Sequence, residues 1–233
     1  MKKTLLAILC ASTSLTALAG GKTDDPILGK VMIGQLETRV TDGDNPLVLE
    51  AQGWIGKDLN KLWVKVDAEK VGGEIEEAEL QFLYSKAVAP YWDFQVGWRH
   101  DIRPKPTKDW LAVGFQGIAP YFFEVDVAAF INKDGQTAFR VAGEYEAMLT
   151  QKLVLSPEAS FDFHSKDDPT LEIGSGLSSS EVGVRLRYEV TREFAPYIGV
   201  NWDRKYGKTA NFAKAAGESS NDMQFVVGVR AWF

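Results

Sequence analysis

Two residue types in this chain can hold a metal ion, and a third can set the charge of a pore. His164 sits in "DFHSKDD", two residues after Asp162 and shortly before Asp167 and Asp168. Imidazole beside carboxylate is a donor set that suits a divalent transition metal. Met148 follows Glu144 and Glu146, and its thioether suits a softer ion. His164, Asp162 and Met148 are therefore the metal candidates. Each has a plainer reading, His164 as a solvated histidine at a strand end and Met148 as a gap-filling apolar side chain. The carboxylates carry a second pattern. Glu124 and Asp126, then Glu144 and Glu146, stand two residues apart, the spacing that puts both members on one face of a β-strand. These four form a candidate acidic cluster. His164 next to Ser165 invites a lipid-hydrolase reading, but adjacent strand residues point to opposite faces and cannot share a proton without a bend. The chain also has no G-x-S-x-G. A non-enzymatic role without an organic cofactor is expected.

Strands must position these groups, because the chain alternates almost throughout. "KLWVKVDAEK" sets Leu62, Val64 and Val66 against Lys61, Trp63, Lys65, Asp67 and Glu69. "YWDFQVGWRHD" puts His100 on the apolar face beside Trp98 and turns Asp101 to the other. Twelve such segments are readable, near 30–40, 47–56, 61–70, 77–86, 91–101, 109–117, 120–131, 137–148, 152–164, 180–190, 196–205 and 222–233. Each is about ten residues long, enough to cross a bilayer at a tilt. Connections after even-numbered segments are short ("KDLN", "AVAP", "IA", "LTQ", "TREFA"). Those after odd-numbered segments are mostly longer, up to "SKDDPTLEIGSGLSS" and "GKTANFAKAAGESSN". An even strand count with short periplasmic turns and longer outer loops is the pattern of a bacterial outer-membrane barrel. No helical apolar run of useful length interrupts it. The last segment alternates to the end and stops on Phe233, as a closing strand would. The expected fold is all-β, a transmembrane, up-and-down antiparallel β-barrel of about 12 strands in the outer membrane of a Gram-negative cell, with outer-membrane lipid as its partner.

The N-terminus agrees with export. Lys2 and Lys3 precede an apolar stretch too short to span a bilayer, and Ala17-Leu18-Ala19 is an A-x-A cleavage site. The expected organisation is a signal peptide over 1–19, a short periplasmic tail over 20–28 and the barrel over 29–233. Cys10 leaves with the signal, so no thiolate ligand or disulfide remains. The full chain has 26 Lys+Arg and 32 Asp+Glu, and losing Lys2 and Lys3 leaves 24 against 32, a net charge of −8. An acidic exported chain excludes nucleic acid as a partner. Polar faces must line the interior, since lipid tolerates no unsatisfied polar group. Alternation assigns 17 carboxylates and nine bases to that lining, a formal surplus of eight negative charges. Most would pair to fill a narrow barrel, and the surplus would concentrate cations.

Several stretches carry a resemblance: "AQGWIGKDLNKLWVK", "LYSKAVAPYWDFQVGWRHD", "VGFQGIAPYFFEVD", "LTQKLVLSPE", "GSGLSSSEVGVRLRYEVTREFAPYIGVNW" and "AAGESS". From about Ala51 to Phe233 the chain resembles the outer-membrane copper-resistance protein B family. That resemblance implies a barrel acting in copper tolerance, binding copper ions transiently or passing them out of the periplasm. It also implies a periplasmic multicopper oxidase or copper carrier as a partner, and no catalytic residue. Many members carry a Met- and His-rich segment before the barrel, where this chain has only "GGKTDDPIL". With Met32, Met148, Met223, His100 and His164 as its soft and imidazole donors after the signal, conduction is favoured over storage. A general small-solute or structural barrel is the alternative, and an outer-membrane lipid hydrolase a remote one.

Overall fold

The computed structural model describes residues 25–41 and 43–233. The expected signal peptide with Cys10, and residues 20–24 of the expected tail, lie outside them. The alternating stretches form strands β1 (Leu28–Val40), β2 (Leu47–Lys57), β3 (Asn60–Val71), β4 (Glu74–Ala89), β5 (Trp92–Arg103), β6 (Lys108–Ala119), β7 (Phe123–Asn132), β8 (Thr137–Glu144), β9 (Ala147–Met148), β10 (Leu153–His164), β11 (Gly176–Tyr188), β12 (Phe194–Lys205) and β13 (Asn221–Trp232). β8 and β9 are one stave broken at 145–146, since both pair with β10 in a common register and Tyr145 N–H still donates to Pro157 O at 3.0 Å. The twelve staves pair antiparallel with their sequence neighbours, and β13 pairs with β1 to close the ring. Closure runs to the end of the chain, where Phe233 N donates to Val31 O at 2.8 Å and Val31 N to Phe233 O at 3.0 Å. A closed ladder leaves no unpaired edge in lipid.

The pleat then sorts side chains as the alternation predicts. On β13, Met223, Phe225 and Val227 are 70%, 68% and 58% exposed on the outer surface, while Gln224 and Val226 are buried inside. Outward aromatics pair across strands, Phe82 on Trp98 and Phe94 on Phe115. His100 lies in this outer layer, stacked on Trp98 with Nδ1 at 2.8 Å from Asp109 Oδ1, and Asp101 points in.

Four local features depart from the sequence reading. A register shift between Ile33 and Gln35 inverts the face of β1, so Met32 joins the interior although alternation from Glu37 and Arg39 would send it to lipid. The β3–β4 connection is a two-residue turn, Gly72 and Gly73 at φ 59° and 97°, which replaces the expected longer loop. The strands lengthen instead, β4 reaching 16 residues. Glu189, assigned inward, lies past the end of β11 and pairs with Arg192 at 3.0 Å. Finally, the expected loop after β12 contains a ten-residue helix, α1 (Gly207–Ala216). Alanines and lysines favour it, but only Thr209 and Ala213 are buried, too few to leave an apolar period.

Candidate functional site

The interior is a charged cavity of about 960 Å³. All nine bases that alternation sends inward are held in ion pairs. Arg185 donates to Glu37 at 2.8 and 2.9 Å and also binds Glu158. Arg39 binds Glu37 at 2.9 Å and Glu181 at 2.5 Å. Tyr197 Oη donates to Glu37 at 3.0 Å, so this carboxylate, 1% exposed, gathers three partners. Gly228 makes room for them, since a Cβ there would stand 2.7 Å from the Glu37 Cβ and 2.6 Å from the Tyr197 ring. A second network joins Arg99 to Glu79 and Asp101 at 2.9 and 2.7 Å, and Arg140 to Glu79 and Asp162 at 3.2 and 2.9 Å. Arg99 also lies 4.4 Å over the Phe130 ring. Nearer the periplasmic end, Arg230 binds Glu144 and Glu146 at 3.0 Å each, and Arg187 binds the same two at 3.5 and 2.6 Å. Lys61, Lys65 and Lys205 take Asp93, Asp126 and Glu218.

The surplus is therefore localised. Among the described residues Glu50, Asp67, Glu69, Glu77, Glu124 and Asp203 make no ion pair. Four of them form one wall. Glu50 stands directly opposite Asp67 on β2 and β3, and Glu69 opposite Glu77 on β3 and β4. The arc of β10–β13 and β1, running round to the edge of that wall, is where Glu37, Arg39, Ser156, Arg185, Arg187, Tyr197, Asn201 and Val226 are buried beneath their own network. Paired side chains fill that arc, while the β2–β4 wall keeps four carboxylates without an ion pair.

The expected acidic cluster divides along the same line. Glu124 and Glu144 face each other across β7 and β8, but Asp126, Glu144 and Glu146 are bound, to Lys65, Arg187 and Arg230 rather than to Arg140. The three metal candidates are not brought together. His164 and Asp162 share a face at the outer end of β10, with Asp162 held by Arg140 and His164 Nδ1 at 3.0 Å from Ser178 Oγ. Met148 pairs opposite Val154, ten residues or about 33 Å along the strand from His164, and is 59% exposed at the periplasmic rim. Among the described residues no three His, Cys, Asp or Glu side chains are grouped to hold a metal ion. Met32, which alternation missed, lies with Sδ 3.8 Å from Arg230 Nη2. Ser165 does not meet His164, since its Oγ accepts from Thr137 N at 2.9 Å. Ser178 Oγ donates to Asp162 O at 2.9 Å, so it can only accept from the imidazole.

Comparison with solved structures supports the fold alone. A NanC porin structure matches with a TM-score of 0.57 at 12% identity, over 88% of this chain and 99% of that one. Sequence comparison goes further. A "Copper resistance protein B" of Escherichia coli is 44% identical over 210 residues, 90% of this chain and 71% of the relative. A "Copper resistance protein B homolog" of Pseudomonas syringae pv. tomato is 40% identical over 219 residues, 94% of this chain and 74% of the relative. The family model described as copper resistance protein B precursor (CopB) matches residues 27–233, the whole closed barrel. This outer-membrane barrel belongs to the copper resistance protein B family.

Proposed function

We propose that the barrel is a passive, cation-selective conduit for copper ions, with the unpaired carboxylates of the β2–β4 wall as its selecting charges. The observation that carries this reading is the division of charge in the lumen: the nine bases that alternation sends inward are all bound, while Glu50, Asp67, Glu69 and Glu77 are not. Like charges directly opposite across a strand pair are unfavourable on their own, and a mobile cation offsets them. Copper is cargo here, and conduction needs several weak contacts rather than one tight site. His164 with Asp162 offers imidazole and carboxylate to copper(II) at the outer mouth, and Met32 and Met148 offer thioethers to copper(I) at the periplasmic end. Fixed charges do no work, so ions run down their gradient. Export in copper tolerance therefore requires a periplasmic carrier or multicopper oxidase to raise copper at the inner mouth.

The test is growth of a deletion strain on graded copper with periplasmic copper measured by mass spectrometry, comparing wild type with a variant carrying Glu50→Gln, Asp67→Asn, Glu69→Gln and Glu77→Gln. The variant should protect poorly and retain periplasmic copper. Full protection at matched membrane levels would leave only a general solute or structural barrel.

A further inference from the structure

The outer mouth carries a cover that the lumen charge does not explain. Residues 165–175 leave β10 and return to β11 as a strap, closed on itself by Asp168 N to Ile173 O at 2.7 Å and Ile173 N to Asp168 O at 3.0 Å. The strap is tied on both sides. Toward β6 and the β7–β8 turn, Asp168 binds Lys108 and accepts from Gln136 Nε2 at 3.2 Å. Toward α1, Asp167 binds Lys208, and Gly174 N donates to Thr209 Oγ1 at 2.9 Å. Leu171 and Ile173 of the strap line the roof of the cavity together with Thr209 and Ala213 of α1. The ties thus run from β6 round to the helix between β12 and β13.

We infer that the strap is a gate over the outer exit, held shut by the Lys108–Asp168 and Lys208–Asp167 latches and by close packing on α1; this rests on the reading of the lumen as a cation path. Two ion pairs and a few hydrogen bonds hold these eleven residues, so the loss of any one tie shifts the population toward the open state. The packing supplies a way to open it without touching charge. A Cβ at Gly174 would stand 2.6 Å from Lys208 Cβ and 2.7 Å from Thr209 N, so any side chain there pushes strap and helix apart.

The experiment is single-channel recording of the full barrel in planar bilayers in potassium chloride, for wild type, Asp168→Asn and Gly174→Val, with heat-dependent gel migration to confirm folded barrels. Each substitution should raise the ratio of open to closed time by about fivefold, the effect of losing one weak tie, while unit conductance stays the same. A rise with Asp168→Asn alone would assign the effect to charge at the mouth and overturn the gate. Wild-type open times in both variants would overturn it too, with the cation path intact because the channel itself is still recorded. Folded barrels that conduct in no form would remove the cation path, and the gate with it.

Discussion

Neutralising two different sets of four carboxylates should separate selectivity from stability. The free set is Glu50, Asp67, Glu69 and Glu77; the bound set is Asp126, Glu144 and Glu146, taken together with their unpaired neighbour Glu124. Each loses four negative charges as its amides. At about 8 Å from a passing ion, one carboxylate contributes about 0.5 kcal/mol in water-like dielectric, and physiological salt cuts this to about 0.2 kcal/mol. Four together hold about 0.8 kcal/mol, a factor of about 4 in the local concentration of a monovalent cation and about 15 for a divalent one. The free set should therefore lose most of its cation preference, read as the reversal potential across a salt gradient. Its stability should rise slightly, by about 1 kcal/mol in all, because two like-charged facing pairs are relieved. The bound set leaves Lys65, Arg187 and Arg230 without their carboxylates, turning a local charge of −1 into +3. Arg187 is 5% exposed, so this variant should melt earlier in heat-dependent gel migration. A free-set variant that keeps wild-type reversal potential, or that melts as early as the bound-set variant, would refute the reasoning.

Glu37→Gln should be the most damaging single change in the lumen, lowering stability by about 3–5 kcal/mol, because Arg39 and Arg185 stay buried around a neutral amide; an unchanged unfolding temperature on gels would count against it. Phe233→Asp should cut the membrane yield of folded barrel more than Phe212→Asp in α1, since Phe233 carries the last rungs of the closing ladder; equal yields would disprove this. The strap should resist mild acid. Asp167 is held down at about 2 by the hydrogen bond from Lys208 and by the Ser175 N–H. For Asp168, burial pushes its acidity one way, but hydrogen bonds from Lys108 and Gln136 outweigh it and lower the pKa. A lowered carboxylate contributes stability above its unfolded value and loses it as pH falls through the folded one. A spin label at Thr170→Cys should therefore stay immobile from neutral pH down to about 4 and loosen only below; release near pH 5 would break the latch assignment.

The fold was legible because a barrel repeats one rule. Period two gave the staves, loop lengths gave the orientation, and the run to Phe233 gave the closure. What alternation could not supply was distance across the lumen. Arg185 reaches Glu37 over 148 residues of sequence and Arg230 reaches Glu144 over 86, partnerships set by the width and stagger of the closed sheet. That is why the acidic cluster was readable as a face, while its partners, Arg187 and Arg230, were not. Met32 was lost to a single bulge, since one extra residue exchanges the two faces. Helix α1 was lost because its buried side, Thr209 and Ala213, is small.

The sequence left two readings of the charged lining, mutual pairing to fill the barrel and a surplus of carboxylates, and the structure holds both: the nine inward-assigned bases are paired, and four carboxylates without an ion pair share the β2–β4 wall. Barrel diameter grows with strand number, and twelve strands enclose more space than ordinary side chains fill. Long arginines reaching from β1, β11 and β13 to carboxylates on other staves occupy part of it. What they leave is narrower than the barrel, and four of its six unpaired carboxylates lie on β2–β4. A cation in that space passes closer to Glu50, Asp67, Glu69 and Glu77 than it would in an unfilled ring, and Coulomb attraction grows as the distance shrinks. The paired arc thus does electrostatic service for the β2–β4 wall. It neutralises its own charge, which would otherwise be costly to bury, and by filling space it sharpens the field of the carboxylates it leaves free.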